Sequence, residues 1–378
     1  MQIKLTREGV GKGGSTLAGT IPYLDGLRAY SILNVLLDHA IVYGSATRVF
    51  PWLASRSALP FRLVFANGGL GVRVFFVLSG FLITRLLLEE FDRSGTISIR
   101  GFYARRIARI FPAAYFYILT LVALAWLGLV QLGWRPLTFA ATYAWNYGGL
   151  GRTPAGAVLA HFWTLSLEEQ FYLVWPALLL LAGPNRARRI AIVCVVLFPF
   201  LRVGSYFAAP GSRSQIEMMF HTGADQILWG ALGAFAVRNG ALERMRGMKL
   251  RWAIPWLCGV VVFVLIPFAE LIVRGTFIAT NTSLLALSVM LFILWLLSGE
   301  GGALRWGLAS WPAIQLGLIS YSVYIWQQLF LVWPGTSMLR FPLNVVVSVV
   351  AGLLSYRLLE VPMRRLIRRW FGEPAPEH

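Results

Sequence analysis

The sequence predicts an all-α fold, a polytopic integral membrane bundle of about ten transmembrane helices. Three observations carry that expectation. Of 378 residues, 57% are hydrophobic and 13% charged, a balance far more apolar than a soluble domain shows. Stretches long enough to cross hydrocarbon, which takes about 20 apolar residues, recur along nearly the whole chain. The basic residues gather in short segments between those stretches, as orientation by inner-side positive charge requires. The net charge of +18, from 34 Lys plus Arg against 16 Asp plus Glu, would also suit a nucleic-acid binder. Its distribution between spans argues for membrane orientation instead, and no nucleic-acid partner is expected.

Residues 1–22 carry Lys4, Arg7 and Lys12 but no apolar core of the kind a cleavable signal peptide needs, and read as a cytoplasmic tail. A membrane domain follows over 23–363, with spans at 27–46, 64–88, 111–130, 161–182, 190–208, 221–237, 252–272, 278–297, 312–333 and 341–360. Residues 364–378 begin with Arg364, Arg365, Arg368 and Arg369 and read as a basic cytoplasmic tail. The segments 89–110, 183–189 and 238–251 are rich in arginine and fall on the same side as this tail. Both termini therefore come out cytoplasmic, in a bacterial-type inner membrane. The same parity places the short apolar segment 136–150 at the outer surface, as an interfacial or re-entrant piece. Cys194 and Cys258 lie inside apolar spans and read as packing residues rather than a disulfide.

Ionisable groups within hydrocarbon are costly unless paired or hydrated, so the few that remain are the default functional candidates. In YLDGLRAYSILNVLLDHA, Asp25 is placed to cap the helix start, Arg28 lies one turn in and His39 follows eleven residues later. Eleven steps of about 100° return to nearly the same face, roughly 16 Å further along. A cation at the mouth and an imidazole deep on one stripe suit a cavity that admits an anionic cofactor. Interfacial snorkelling of Arg28 and a neutral His39 bonded between helices are the structural alternatives. Asp38 is about 100° off that face and is the weaker candidate partner for His39.

In NGGLGVRVFFVLSGFLITRLL, Arg73 needs an acidic partner or water, and Gly71, Ser79 and Gly80 permit close approach. In HFWTLSLEEQFYLVWP, Glu168 and Glu169 are the deepest carboxylates. Either could pair with Arg73 or orient His39; a structural ion pair is the bland reading, most of all for Glu169. RGFYARRIARIFPAAY puts Arg105 and Arg109 at i, i+4 with Arg106 beside them on a short helix closed by Pro112, a spacing that matches phosphates as well as inner-side charge.

These residues resemble a known family, the membrane acyltransferases of acyltransferase family 3, which O-acylate surface polysaccharides, peptidoglycan, lipid-linked sugars and some antibiotics. The resemblance lies in DGLRAYSILNVLLDH, GVRVFFVLSGFLIT, RRIARIFP, HFWTLSLEEQFYLVWP, SYSVYIWQ and LLEVPMRR, in order from residue 23 to about 365. It implies a ten-helix acyl-transfer domain in which His39 and Arg28 are required, Arg105, Arg106 and Arg109 serve the acyl-CoA side, and Glu168 belongs to the active centre. Some relatives carry a further soluble esterase-like domain; with its end at His378 this sequence is expected to have none. Relatives usually have His after SYSxYLW where Gln327 stands here, so a proton-carrying role is not expected at that position, whereas hydrogen bonding to the acceptor is.

The expected activity is transfer of an acyl group, acetyl first of all, from cytoplasmic acetyl-CoA or another acyl-CoA to a hydroxyl of a carbohydrate or glycolipid. His39 is the expected general base, oriented by Glu168, with Arg73 or Ser79 stabilising developing negative charge. His161, Trp163, Tyr324 and Trp326 are expected to bind the acceptor, although interfacial anchoring explains most tryptophans. No metal is expected, because the four histidines lack ligand spacing. A transporter or flippase for a lipid-linked or acylated molecule is the rival reading, since it too would bury His, Arg and Glu about a central cavity.

Overall fold

The computed structural model describes residues 21–148, 154–272, 278–333 and 340–371, and among them all regular structure is helical. The expected N-terminal tail, except its last residues, and the end of the C-terminal tail lie outside the described residues. The helices that position the site are α1 (Pro22–Val42), α2 (Gly68–Ser94), α3 (Ile99–Trp126), α4 (Phe162–Ala208), α5 (Asp225–Arg238), α6 (Ala253–Val260), α7 (Ile278–Leu297), α8 (Trp311–Leu331), α9 (Leu343–Ser355) and α10 (Val361–Trp370).

Among the described residues, four helical stretches are long and apolar enough to cross a membrane: Arg56–Ser94, Ile99–Trp126, Phe162–Ala208 and Leu343–Trp370. A bent pair, Asn281–Leu297 and Gly302–Leu308, meets at 98° and makes a fifth candidate. Thus the polytopic all-helical class stands; among the described residues length and apolarity alone mark four or five spans, and the expected count of about ten belongs to the proposal below. The helices α1 and α8 have 21 residues each, the right length. Their polarity sets them apart: α1 holds Asp25, Arg28 and Asp38, and α8 holds Gln315, Gln327 and Gln328. They pack extensively on each other, so much of this polarity faces protein.

Local expectations are corrected at four places. Asp25 does not cap α1; Ile21 occupies the N-cap and Asp25 instead accepts from Arg28 within the first turns. Pro112 does not close the basic helix, which runs through it to Trp126. Proline removes the donor that would meet the Ala108 carbonyl, a loss the helix carries without breaking; Tyr321 Oη separately donates to Ile110 O at 2.7 Å. The expected loop 183–189 is reduced to one break at Gly183, whose φ of +75° is open to glycine, and Arg186, Arg188 and Arg189 continue in helix. Finally, the first part of the basic tail is helical, since α9 passes through a wide turn at Tyr356–Glu360 into α10. The segment near 136–150 forms an eight-residue helix, Trp134–Ala141, and a turn at Trp145–Tyr147. At about 1.5 Å per residue that helix is too short to cross. Cys194 and Cys258 are both free thiols.

Helix α2 packs on α1 and α5 at backbone distance because small residues occupy the crossings. A Cβ on Gly80 would overlap the carbonyl of Ile227, one on Gly230 the carbonyl of Val77, and one on Gly71 the carbonyl of Ser31. Close approach of this kind drives helix association where lipid is as apolar as side chains. A buried ion pair adds direction. Arg202 of α4 donates to both carboxylate oxygens of Asp225 at the start of α5, at 2.6 and 2.8 Å, and to Ser283 of α7 at 2.5 Å. Neither charged side chain is exposed at all.

Gly230→Val should destabilise the fold by about 1–3 kcal/mol through overpacking, seen as a lower unfolding temperature in detergent. Gly204→Ala meets nothing within 4 Å and serves as the neutral control.

Candidate active site

The side chains that meet inside the bundle follow from helical periodicity. Val72, Phe75, Phe76, Ser79, Leu82 and Ile83 form one stripe of α2, and Thr164, Leu165, Glu168, Glu169 and Tyr172 form one stripe of α4. With Arg106, Arg109 and Ile110 of α3, Ser320, Tyr321 and Tyr324 of α8, and Arg28 of α1, they enclose a chamber of about 90 Å³. A larger vestibule of about 800 Å³ adjoins it at the end of the bundle where α2 stops and α3 begins. Arg28, Leu82, Arg106 and Arg109 belong to the walls of both. Eight arginines line the vestibule (28, 85, 93, 105, 106, 109, 364 and 368) against Asp25, Glu89 and Glu90, which leaves an excess of positive charge suited to a polyanion.

At the shared wall, Arg28 Nη1 donates to Asp25 Oδ1 at 2.6 Å. Arg106 lies over the rings of Phe102 and Tyr172, at 5.7 and 5.2 Å from their centroids. Arg105 is nearly half exposed and 3.9 Å from Glu90. Glu168 stands among Arg106, Arg109 and the hydroxyls of Ser79 and Tyr172, which also bond each other. The structure thus brings Arg28, Arg106, Arg109, Ser79, Glu168 and Tyr324 to one chamber and Arg105 to its vestibule.

His39 is absent from the chamber wall. Eleven residues beyond Arg28 on α1, about 16 Å along the axis, its Nδ1 meets Gln327 Oε1 at 2.7 Å. Gln327 is one helical turn past Tyr324, which does line the chamber. The expected partner of His39, Glu168, is occupied elsewhere, and Asp38 stands against Gly68. Arg73 pairs with neither Glu168 nor Glu169; its Nη2 donates to Glu217 Oε2 at 2.5 Å, and its Nη1 to Gly69 O at 3.0 Å. It therefore lies apart from the chamber that holds Ser79.

Of the four residues expected to bind an acceptor, Tyr324 alone lines the chamber, with its hydroxyl 2.9 Å from Thr164 Oγ1. His161 is buried against Tyr117, Phe162 and Tyr324, and neither ring nitrogen has a hydrogen-bond partner among the described residues. Trp326 packs on Tyr117 and Phe116, and Trp163 on Phe76. Facing aromatic residues on α2, α3, α4 and α8 make these contacts, so His161 and Trp326 belong to the interior. Two residues escaped the sequence reading, and a third, Gln327, is singled out there for the acceptor rather than for His39. Tyr172 lies at i+4 from Glu168, a spacing that could have marked it; Glu217 and Gln327 act across the bundle and left no local signal. No group of three or more His, Cys, Asp or Glu able to hold a metal occurs among the described residues.

The family model described as an acyltransferase domain, that of acyltransferase family 3, matches residues 21–356. The chain belongs to acyltransferase family 3. It is 28% identical over 383 residues to the "Putative peptidoglycan O-acetyltransferase YrhL" of Bacillus subtilis (strain 168), with 91% of this chain and 55% of that protein covered. It is 26% identical over 367 residues to the O-acetyltransferase OatA of Staphylococcus aureus (strain NCTC 8325 / PS 47), covering 91% and 57% respectively. The chain thus spans little more than half the length of these relatives. No solved structure matches. The matched family is one of acyltransferase domains, and the chamber is the natural place to look for chemistry of that class.

The Arg73–Glu217 pair is about one-fifth exposed on each side, enough burial for coupling to register. Glu217→Gln should cost about 1 kcal/mol, and adding Arg73→Gln should cost little more. A double-mutant cycle on thermal unfolding in detergent checks this; simple additivity would refute the pairing.

Proposed function

We propose that this acyltransferase moves an acyl group, acetyl first of all, from cytoplasmic acyl-CoA to a hydroxyl of a cell-envelope carbohydrate, crossing the bilayer about ten times with both termini inside the cell. The observation that carries the reading is the arginine-lined vestibule narrowing at Arg28, Arg106 and Arg109 into a small chamber. Coenzyme A is a polyanion with a long thin arm, and guanidinium groups match its phosphates in charge and geometry. The names of YrhL and OatA, both O-acetyltransferases, favour acetyl, and that of YrhL favours peptidoglycan as acceptor.

In this mechanism the phosphates rest on Arg105, Arg106 and Arg109 and the pantetheine arm runs past Arg28 and Ser79 toward Tyr324. The acceptor enters from the opposite side. Nε2 of His39 takes the proton of its hydroxyl while the oxygen attacks the thioester carbonyl carbon. Collapse of the tetrahedral intermediate breaks the carbon–sulfur bond, and the proton passes from His39 to the leaving sulfur, giving the ester and free coenzyme A. Glu168 holds Arg106 and Arg109 in place rather than orienting His39. Tyr324 lies at the end of the donor path, where it can meet the acceptor.

The test is release of free thiol from acetyl-CoA by purified protein in detergent with muropeptide as acceptor. Loss of the base in His39→Ala should lower kcat by a factor on the order of 100 or more. Arg106→Gln and Arg109→Gln should each raise KM for acetyl-CoA by about 10-fold or more, the value of a charge-assisted hydrogen bond. Full thiol release by His39→Ala would overturn the catalytic assignment. Acyl-CoA-independent movement of a lipid-linked sugar in vesicles, without thiol release, would favour the transporter.

A further inference from the structure

Beside His39 runs a chain of hydrogen bonds whose direction can be read from its far end. Gln328 Nε2 donates to the backbone carbonyl of Ala157 at 2.8 Å. A backbone carbonyl only accepts, so the amide nitrogen of Gln328 must face it and its Oε1 must point the other way. That oxygen receives Gln327 Nε2 at 2.8 Å. With its nitrogen so engaged, Gln327 presents Oε1 to His39 Nδ1, 2.7 Å away. An amide oxygen also only accepts, so Nδ1 must carry the proton. Both glutamines are essentially fully buried, and water does not compete for either amide. No described residue hydrogen-bonds Nε2.

We infer that Gln327, itself oriented through Gln328 and the Ala157 carbonyl, is a positioning residue that holds His39 as the Nδ1–H tautomer and leaves the Nε2 lone pair free to accept a proton. This rests on the reading of His39 as general base and adds the device that sets its tautomer. The work done elsewhere by a carboxylate beside a histidine base falls here to a neutral amide whose polarity is set two links away. It also assigns Gln327 a use distinct from acceptor binding. Because the polarity comes from Ala157, a change at Gln328, which does not touch His39, should reach the base through Gln327 alone.

The experiment compares substitutions in the full chain, purified in detergent and checked for a native unfolding temperature. Gln327→Met fills similar volume but cannot accept from Nδ1, and kcat should fall by a factor on the order of 100 with KM for acetyl-CoA unchanged. Gln328→Glu in its neutral form can still donate to the Ala157 carbonyl and accept from Gln327 Nε2, so kcat should stay within about 5-fold of the parent. Gln328→Met removes that constraint, lets the Gln327 amide turn over, and should lower kcat by about 10-fold or more. A merely structural role would penalise Gln328→Glu, which puts an ionisable group in the interior, more than Gln328→Met. That reversed order would overturn the inference, as would a Gln327→Met enzyme with parental kcat.

Nitrogen-15 spectra of ring-labelled histidine, assigned with His39→Ala, give a readout independent of turnover. The expected His39 signals are a protonated Nδ1 and an unprotonated Nε2, and the opposite tautomer in the parent protein would sink the inference. If His39→Ala keeps full activity while the spectra show the Nδ1–H form, it is the catalytic reading that fails and the tautomer assignment that survives.

Discussion

Charge inside hydrocarbon has to be answered locally, and this molecule is arranged around that constraint. The cations whose partners are resolved deepest are tied to specific groups on other helices or the same turn: Arg202 to Asp225 and Ser283, Arg73 to Glu217, Arg28 to Asp25. Arg202–Asp225 and Arg73–Glu217 join separate elements and so fix their register, and for the fully buried Arg202–Asp225 pair removing one member leaves a stranded charge at a cost of several kcal/mol. Arg106 and Arg109 differ, because they stand with Glu168 and Glu169 around open volume rather than inside a closed contact. An excess of positive charge beside a cavity can be answered by a ligand. The same constraint that locks the rest of the bundle therefore leaves the chamber receptive to an anion.

Close packing is what gives this electrostatics its geometry. Helix α2 lies so near α1 and α5 at Gly71 and Gly80 that only glycine fits. The stripe from Val72 to Ile83 is thereby held at fixed depth, opposite Glu168 and Tyr172. A bulkier residue at either crossing would move Ser79 relative to Glu168 before it touched either one.

Patterns confined to one helix were readable in the sequence, and pairings between helices were not. The Arg28–His39 stripe and the Arg105, Arg106 and Arg109 triad need only a 3.6-residue period to be recognised, and the structure sets Arg28 and the triad around adjoining cavities. Glu217 lies 144 positions from Arg73 and Gln327 lies 288 from His39, so no local rule could join them. Breaks were misjudged for a related reason. Pro112 and Gly183 carry strong helix-ending propensities, yet the packed helix runs through one and a single positive-φ glycine absorbs the turn at the other. The sequence reading takes both α1 and α8 as spans; by length and composition they look least like membrane helices because they hold the polar groups that bring His39 and Gln327 together.

That an amide rather than a carboxylate meets His39 follows from the same limit on buried charge. A carboxylate would orient an imidazole strongly, but at this depth it would need its own cation, and Glu168 and Glu169 already share the chamber with Arg106. A glutamine avoids that cost and brings another difficulty, since an amide can present either end to its neighbour. Gln328 and the Ala157 carbonyl remove that freedom without adding charge. The orientation of the imidazole is thus anchored in the backbone just before α4, the helix that carries Glu168 to the chamber, and the base and the arginine cluster are tied to the same stretch of chain.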